Sequence, residues 1–120
     1  MINQHRIYIA LFRALDCLYR EHPNNTLRFF LSNANPYLLK DRCSADPSYL
    51  SDFLSYMKQH GTDERLSFQD AFLKVREYLK DNTAFSTRFD DISLSEWEAL
   101  CAIINEECDE EGTCLDYDGI

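Results

Sequence analysis

The side chains most able to do chemistry in this sequence are its five cysteines and three histidines. Cys17 and His22 lie close enough along the chain to suggest a thiol that a neighbouring imidazole activates. Such a nucleophile also needs a group that orients the base and a pocket for the substrate, and no pattern in the sequence predicts either. We therefore expect His5, His22 and His60 to lie near helix ends as surface or capping residues.

The common catalytic motifs are also missing. The sequence contains no GxSxG, HExxH or Walker motif. Its three glycines, at positions 61, 112 and 119, are too scattered to build a glycine-rich phosphate loop. We therefore expect a protein that is not an enzyme and that uses no cofactor.

Cys108 and Cys114, with carboxylates between them, come nearest to a metal site. Zinc needs four nitrogen or sulfur ligands, and neither a CxxC pair nor a nearby histidine completes such a set. The runs 109–112 and 116–119 resemble calcium loops, but neither has the twelve-residue ligand spacing. We predict no metal site.

The five cysteines and the apolar stretches also bear on location. The most apolar stretch near the start, residues 7–12, is interrupted by Arg13 and is too short to span a bilayer. It also lacks the small-residue cleavage site of a secretory signal. We expect a cytoplasmic protein with reduced thiols, in which Cys17 and Cys101 lie on buried helix faces.

The net charge of −9 is concentrated at the end of the sequence. Eleven of the 21 acidic residues, and none of the 12 lysines and arginines, follow Arg88. Such a region repels nucleic acids and anionic membranes and attracts a basic protein surface. Apolar Trp97, Leu115, Tyr117 and Ile120 are interleaved with the acids, as anchors are in protein interfaces. Helical spacing also places Trp97, with Leu100, Cys101 and Ile104, on the buried side of the last helix. The expected partner-binding residues are Asp90, Asp91, Glu98, Glu106, Glu107, Asp109, Glu110, Glu111, Asp116, Tyr117 and Asp118.

A plainer interpretation of the same region is a solvated helix face followed by an acidic terminus. Arg6, Arg13 and Arg20 recur every seven residues and therefore share one face of the first helix. We expect that face to be solvated, because a nucleic-acid groove would need more positive charge.

Apolar residues at helical spacing, with capping residues before them, predict five helices. Asp46 and Pro47 give the clearest start, and Ser67 and Ser93 begin two further helices with capping boxes. Residues 83–92 are expected to form a loop. The predicted helices cover about 4–21, 25–32, 47–60, 67–82 and 93–111. We predict an all-α fold: one domain over 1–120 that is a bundle of four to five helices, with 113–120 as a flexible acidic tail.

The run FLSNANPYL at 30–38, followed by SADPSY at 44–49 and Phe53, resembles a pattern found in small bacterial proteins. The overall character of the chain is similar to that of immunity proteins of bacterial toxin systems. That resemblance implies tight inhibition of a cognate toxin, often a basic nuclease. An adaptor or regulatory subunit that binds a partner, or a second copy of itself, through an apolar helix face is the alternative.

Overall fold

A long central helix, α1 (Gln4–Glu21), packs against every other helix of the computed structural model. The structure describes residues 1–37, 44–61, 65–83 and 86–111. In these ranges, four further helices of ten or more residues surround α1, together with one helix of a single turn and two short strands. They are β1 (Ile2–Asn3), α2 (Asn25–Ala34), α3 (Pro47–Gln59), β2 (Arg65–Leu66), α4 (Phe68–Asn82), α5 (Ser86–Phe89) and α6 (Leu94–Glu111). The predicted all-α bundle is confirmed.

The helices begin where side chains cap them. The side chain of Asp46 accepts a hydrogen bond from the backbone N–H of Ser48, and Pro47 follows as the first helical residue of α3. At the start of α6, Ser93 and Glu96 each accept a hydrogen bond from the other's backbone N–H. These caps satisfy N–H groups that have no partner within the helix. The predicted starts of α3 and α6 are therefore confirmed.

The end of α2 and the region between α4 and α6 differ from the prediction. Helix α2 continues through Ala34, two residues further than expected, and ends before Pro36. The predicted loop at 83–92 contains the single turn α5. Its Phe89 is fully buried, with ring centroids 5.3 Å from Phe72 and 5.7 Å from Trp97. Tertiary packing around this ring stabilises the turn, and local helix propensity does not predict such packing.

The described ends of the segment between α2 and α3 are held together by backbone hydrogen bonds. The N–H of Ala45 donates to the carbonyl of Asn35 (3.0 Å), and that of Asp46 donates to the carbonyl of Asn33 (2.8 Å). The hydroxyl of buried Tyr8 donates to the carbonyl of Ala34 (2.6 Å). The asparagine-rich pattern of this segment therefore serves the scaffold.

The strands β1 and β2 pair antiparallel, with Ile2 opposite Leu66 and Asn3 opposite Arg65. This pairing joins the start of the chain to the segment before α4. Within the described ranges, no helix is both long enough and apolar enough to cross a membrane.

The cysteines differ in part from expectation. Cys101 is fully buried, as predicted, but Cys17 is exposed, since it lies on the solvent side of α1. Cys108 is disulfide-bonded, so the expectation of reduced thiols is wrong for this residue. Burial and then the negative charge of Glu98 raise the pKa of the Cys101 thiol to about 12.

Candidate protein-binding surface

The residues predicted to bind a partner are divided between α6, the turn after α5 and the end of the chain. Six of them belong to α6, and Asp90 and Asp91 directly follow α5. Asp116, Tyr117 and Asp118 lie outside the described residues, as do the side chains of Glu110 and Glu111. The α6 members are Glu98, Glu106, Glu107, Asp109, Glu110 and Glu111.

Two of these acids are paired with the arginine stripe of α1. Arg13 donates to the carboxylate of Glu107 at 2.8 Å, and Arg6 donates to that of Asp109 at 2.7 Å. Arg6 also donates to the side-chain oxygen of Asn105 (3.2 Å). The expectation of a solvated arginine face is therefore wrong for Arg6 and Arg13, because the packing of α6 against α1 brings acids opposite them.

Arg20, the third arginine of the stripe, and Asp90 also form ion pairs, each with a different partner. Arg20 pairs with Asp16 on its own helix at 3.2 Å. Asp90 pairs with Arg76 of α4 at 2.7 Å, and Arg76 also lies over the ring of Phe72. Asp90 thus has a structural partner of its own, which weakens its case as a residue that meets another protein.

The acids at the end of α6 oppose the helix dipole. A helix C-terminus carries partial negative charge, so acidic side chains there are unfavourable by a few tenths of a kcal/mol or more each. Arg6 and Arg13 offset this for Asp109 and Glu107. Glu106 is exposed and precedes the last turn of α6, so the dipole has little effect on it.

The inner face of α6 is formed by apolar residues that repeat at helical spacing. Trp97, Cys101 and Ile104 are fully buried, and Cys108 is nearly so. The indole N–H of Trp97 donates to the backbone carbonyl of Phe68 at 2.9 Å. Trp97 is therefore a core residue, which confirms its predicted place on the buried side of the helix, and the further expectation that it anchors an interface is wrong.

The outer face of α6 carries an apolar patch that the sequence analysis missed. Ile103 is 45% exposed, and Ala99 and Ala102 on the same side are also exposed. Exposed Glu98 and Glu106 lie along the helix on either side of this patch. We call these five residues the α6 outer face. The signal was present in the sequence, because Ile103 falls opposite the buried positions at a period of 3.6 residues.

The α6 outer face contains an apolar centre with an acidic rim. Helix α6 as a whole has seven acidic residues and no lysine or arginine. An apolar contact region surrounded by charge is the usual build of a protein interface. This face is therefore suited to bind a protein of opposite charge.

The three histidines have different environments. His5 is buried at the start of α1, contrary to the expectation of a surface or capping residue. His22 caps the end of α1, and His60 is exposed and stacked on Tyr56 with ring centroids 4.0 Å apart. In the described part of the chain, no three His, Cys, Asp or Glu side chains are grouped to hold a metal ion.

Comparison with protein-family models, with curated proteins and with solved structures gives no match to this chain.

Proposed function

We propose that the protein is a binding protein that neutralises a basic bacterial toxin through the α6 outer face, in the manner of an immunity protein. The observation that carries the proposal is the exposed Ile103 within an acidic rim. Burying an exposed apolar side chain supplies affinity, and the acidic rim speeds association with a basic partner. A nuclease domain, basic because it binds nucleic acid, is the kind of toxin that fits.

The ion pairs within the fold reduce the number of acids that are available to bind a partner. Glu107 and Asp109 already neutralise arginines of α1, so reversing their charge would disturb the fold as well as the surface. Glu98 and Glu106 are exposed and have the freedom to meet a partner. We therefore place the contact on the α6 outer face, with the acids beyond residue 111 as further candidates.

The test compares Ile103→Asp with Leu73→Asp. Leu73 is the matched control, because it is a 51% exposed apolar residue on α4. Each tagged chain is used to capture proteins from a lysate of the source cells, and whatever the wild type alone retains is purified. Its affinity for each variant is then measured by calorimetry.

The proposal expects a basic protein whose affinity falls at least tenfold with Ile103→Asp and is unchanged with Leu73→Asp. Glu98→Lys with Glu106→Lys should slow its association, and rising salt should do the same because exposed charges are screened beyond about 8 Å at 0.15 M. Equal affinity of wild type and Ile103→Asp for the purified protein would refute the proposed surface.

The alternative is an adaptor, or a homodimer, that docks through the apolar part of the same face. Ile103, Ala99 and Ala102 favour it, because small residues let two helices approach closely. Two copies would bring acidic rims together, which disfavours the homodimer. Sedimentation in low and high salt tests the homodimer: a dimer that strengthens in salt supports self-association, and a monomer throughout excludes it.

A further inference from the structure

A groove with aromatic walls lies between α2, α3 and α4. Its volume is about 470 Å³, within the range of small-ligand sites. None of its lining residues belongs to the α6 outer face. They are Thr26, Phe29, Phe30, Tyr49, Asp52, Tyr78, Asn82 and Thr83.

The rings in the groove are fixed by packing, except at the rim. Phe30 and Tyr49 contact each other with ring centroids 5.5 Å apart. Tyr78 packs edge-on against buried Phe53 at 5.0 Å. Phe29, at the rim, is 68% exposed, more than any other Phe, Tyr or Trp side chain in the described residues. A ligand that covered Phe29 would therefore gain apolar contact at little cost in rearrangement.

The groove has negative charge without a basic counterpart in its lining. Within the described part of the chain, Asp52 is the only carboxylate that lines the groove, and no lysine, arginine or histidine lines it. Burial, followed by the charge of Asp52, raises the pKa of Tyr78 to about 12. The Asp52 carboxylate therefore lies close enough to interact electrostatically with Tyr78 in the groove wall, and Tyr78 stays neutral at physiological pH.

We propose that this groove binds an organic cation, namely an alkylammonium or guanidinium group, with its charge beside Asp52 and its apolar part against Phe29, Phe30 and Tyr49. Aromatic faces attract cations through the ring quadrupole, and a carboxylate adds a charge-assisted hydrogen bond. A neutral ligand would leave the charge of Asp52 unused, and an anion would be repelled by it. The inference does not depend on the proposed toxin partner.

The first experiment is a titration of the ¹⁵N-labelled full chain, followed by amide chemical shifts. The probes are propylguanidinium chloride and propylurea, which have similar shape and differ in charge. Propylguanidinium should shift amides of residues 26–30, 49–52 and 78–83 in a saturable way, and propylurea should bind at least about fivefold more weakly. Equal binding of the two probes, or shifts confined to other residues, would overturn the proposal.

Two variants then test the named groups. Asp52→Asn should weaken propylguanidinium binding by about fivefold, the upper range for an exposed charge pair. Phe29→Ala should weaken it by about two- to fivefold, because the propyl group loses apolar contact worth about one buried CH₂. Glu98→Gln on α6 is the control that removes an exposed acid outside the groove and should have no effect.

Unchanged affinity in Asp52→Asn would also overturn the proposal. Both altered side chains are exposed, so the amide spectrum of each variant should stay dispersed. If a variant failed to fold, the comparison of the two probes on the wild-type chain would decide alone.

A final arm distinguishes the source of the cation. The peptide acetyl-Gly-Arg-Gly-amide carries the same guanidinium within a polypeptide. Tighter binding of the peptide than of propylguanidinium assigns the groove to an arginine side chain of a protein, and tighter binding of propylguanidinium assigns it to a free small molecule. Either order supports the cation site, whereas the absence of binding by both the peptide and propylguanidinium refutes it.

Discussion

The two faces of α6 are both apolar at their centres, yet they have different surroundings. On the inner face, Trp97, Cys101 and Ile104 have no exposed surface, because α1 and α4 cover them. On the outer face, the neighbouring Ile103 is 45% exposed. Adjacent isoleucines thus have opposite environments. Packing within the bundle therefore accounts for the inner apolar residues of this helix but not for exposed Ile103 and its neighbours Ala99 and Ala102.

The acidic residues of α6 divide in the same way. Glu107 and Asp109 face α1 and neutralise its arginines, whereas Glu106, one residue before Glu107, faces solvent. Inward acids therefore belong to the fold, and outward acids are available to a partner. A count of charges along the sequence cannot separate the two groups.

The sharpest test of this comparison substitutes the two adjacent isoleucines. Ile104→Ala should lower the free energy of unfolding by about 2–5 kcal/mol, because it leaves a cavity in the core. Ile103→Ala should change it by no more than about 0.5 kcal/mol, as surface substitutions do. Urea unfolding followed by circular dichroism measures both. Similar losses in the two variants would mean that the outer face is also covered within the monomer.

The inner face should also respond to alkaline pH. The pKa of the Cys101 thiol is raised from 9.0 to about 12 in the folded chain. Between these values the folded state binds more protons than the unfolded state, so stability is complete below about pH 9 and falls as the pH rises towards 12. The slope from this group is at most about 1.4 kcal/mol per pH unit. Urea unfolding from pH 8 to 10.5 should show a smaller slope for Cys101→Ala than for the wild type.

The cap at the start of α6 gives a smaller effect. Ser93→Ala removes the acceptor for the N–H of Glu96 and should cost about 1 kcal/mol. Ser95→Ala, two residues later and exposed, is the matched control and should cost less than about 0.5 kcal/mol. Thermal unfolding compares the two serines, and equal shifts in Tm would show that the capping box contributes nothing to stability.

The smallest expected effect is the coupling across the seam between α1 and α6. A double-mutant cycle with Arg13→Ala and Glu107→Ala should give about 0.2–1 kcal/mol, because both side chains are partly exposed. The coupling should shrink in 1 M salt, where charges are screened within about 3 Å. A coupling that does not respond to salt would indicate that the pair acts through packing.

Much of the fold was predictable because its signals are local. The caps at Asp46, Ser67 and Ser93 act within three residues, and the apolar stripes repeat every three or four residues. The positive φ of Gly61 (64°), just after α3, belongs with these signals, since glycine adopts it without strain. Local physics therefore fixed where these helices begin, whereas α2 ends two residues beyond its predicted end.

The functional surface was predictable only in part. The acidic character of the last helix was evident from composition, and helical spacing placed Trp97 on its buried side, but Trp97 was also counted among the interface anchors. Residue type alone favours tryptophan as a hot spot, whereas burial depends on which face of α6 meets α1 and α4. The aromatic groove was not foreseen, because its walls come from three helices that are separate in the sequence.

The sequence by itself determined the helical class, the positions of the caps and the concentration of negative charge near the end of the chain. The tertiary structure alone decided which acids are paired, which isoleucine is exposed and why Phe89 belongs to a turn of helix. The physical reason is distance along the chain. Arg13 and Glu107 are 94 residues apart, and Arg6 and Asp109 are 103 apart. Such pairs form only after the long helices have packed around α1.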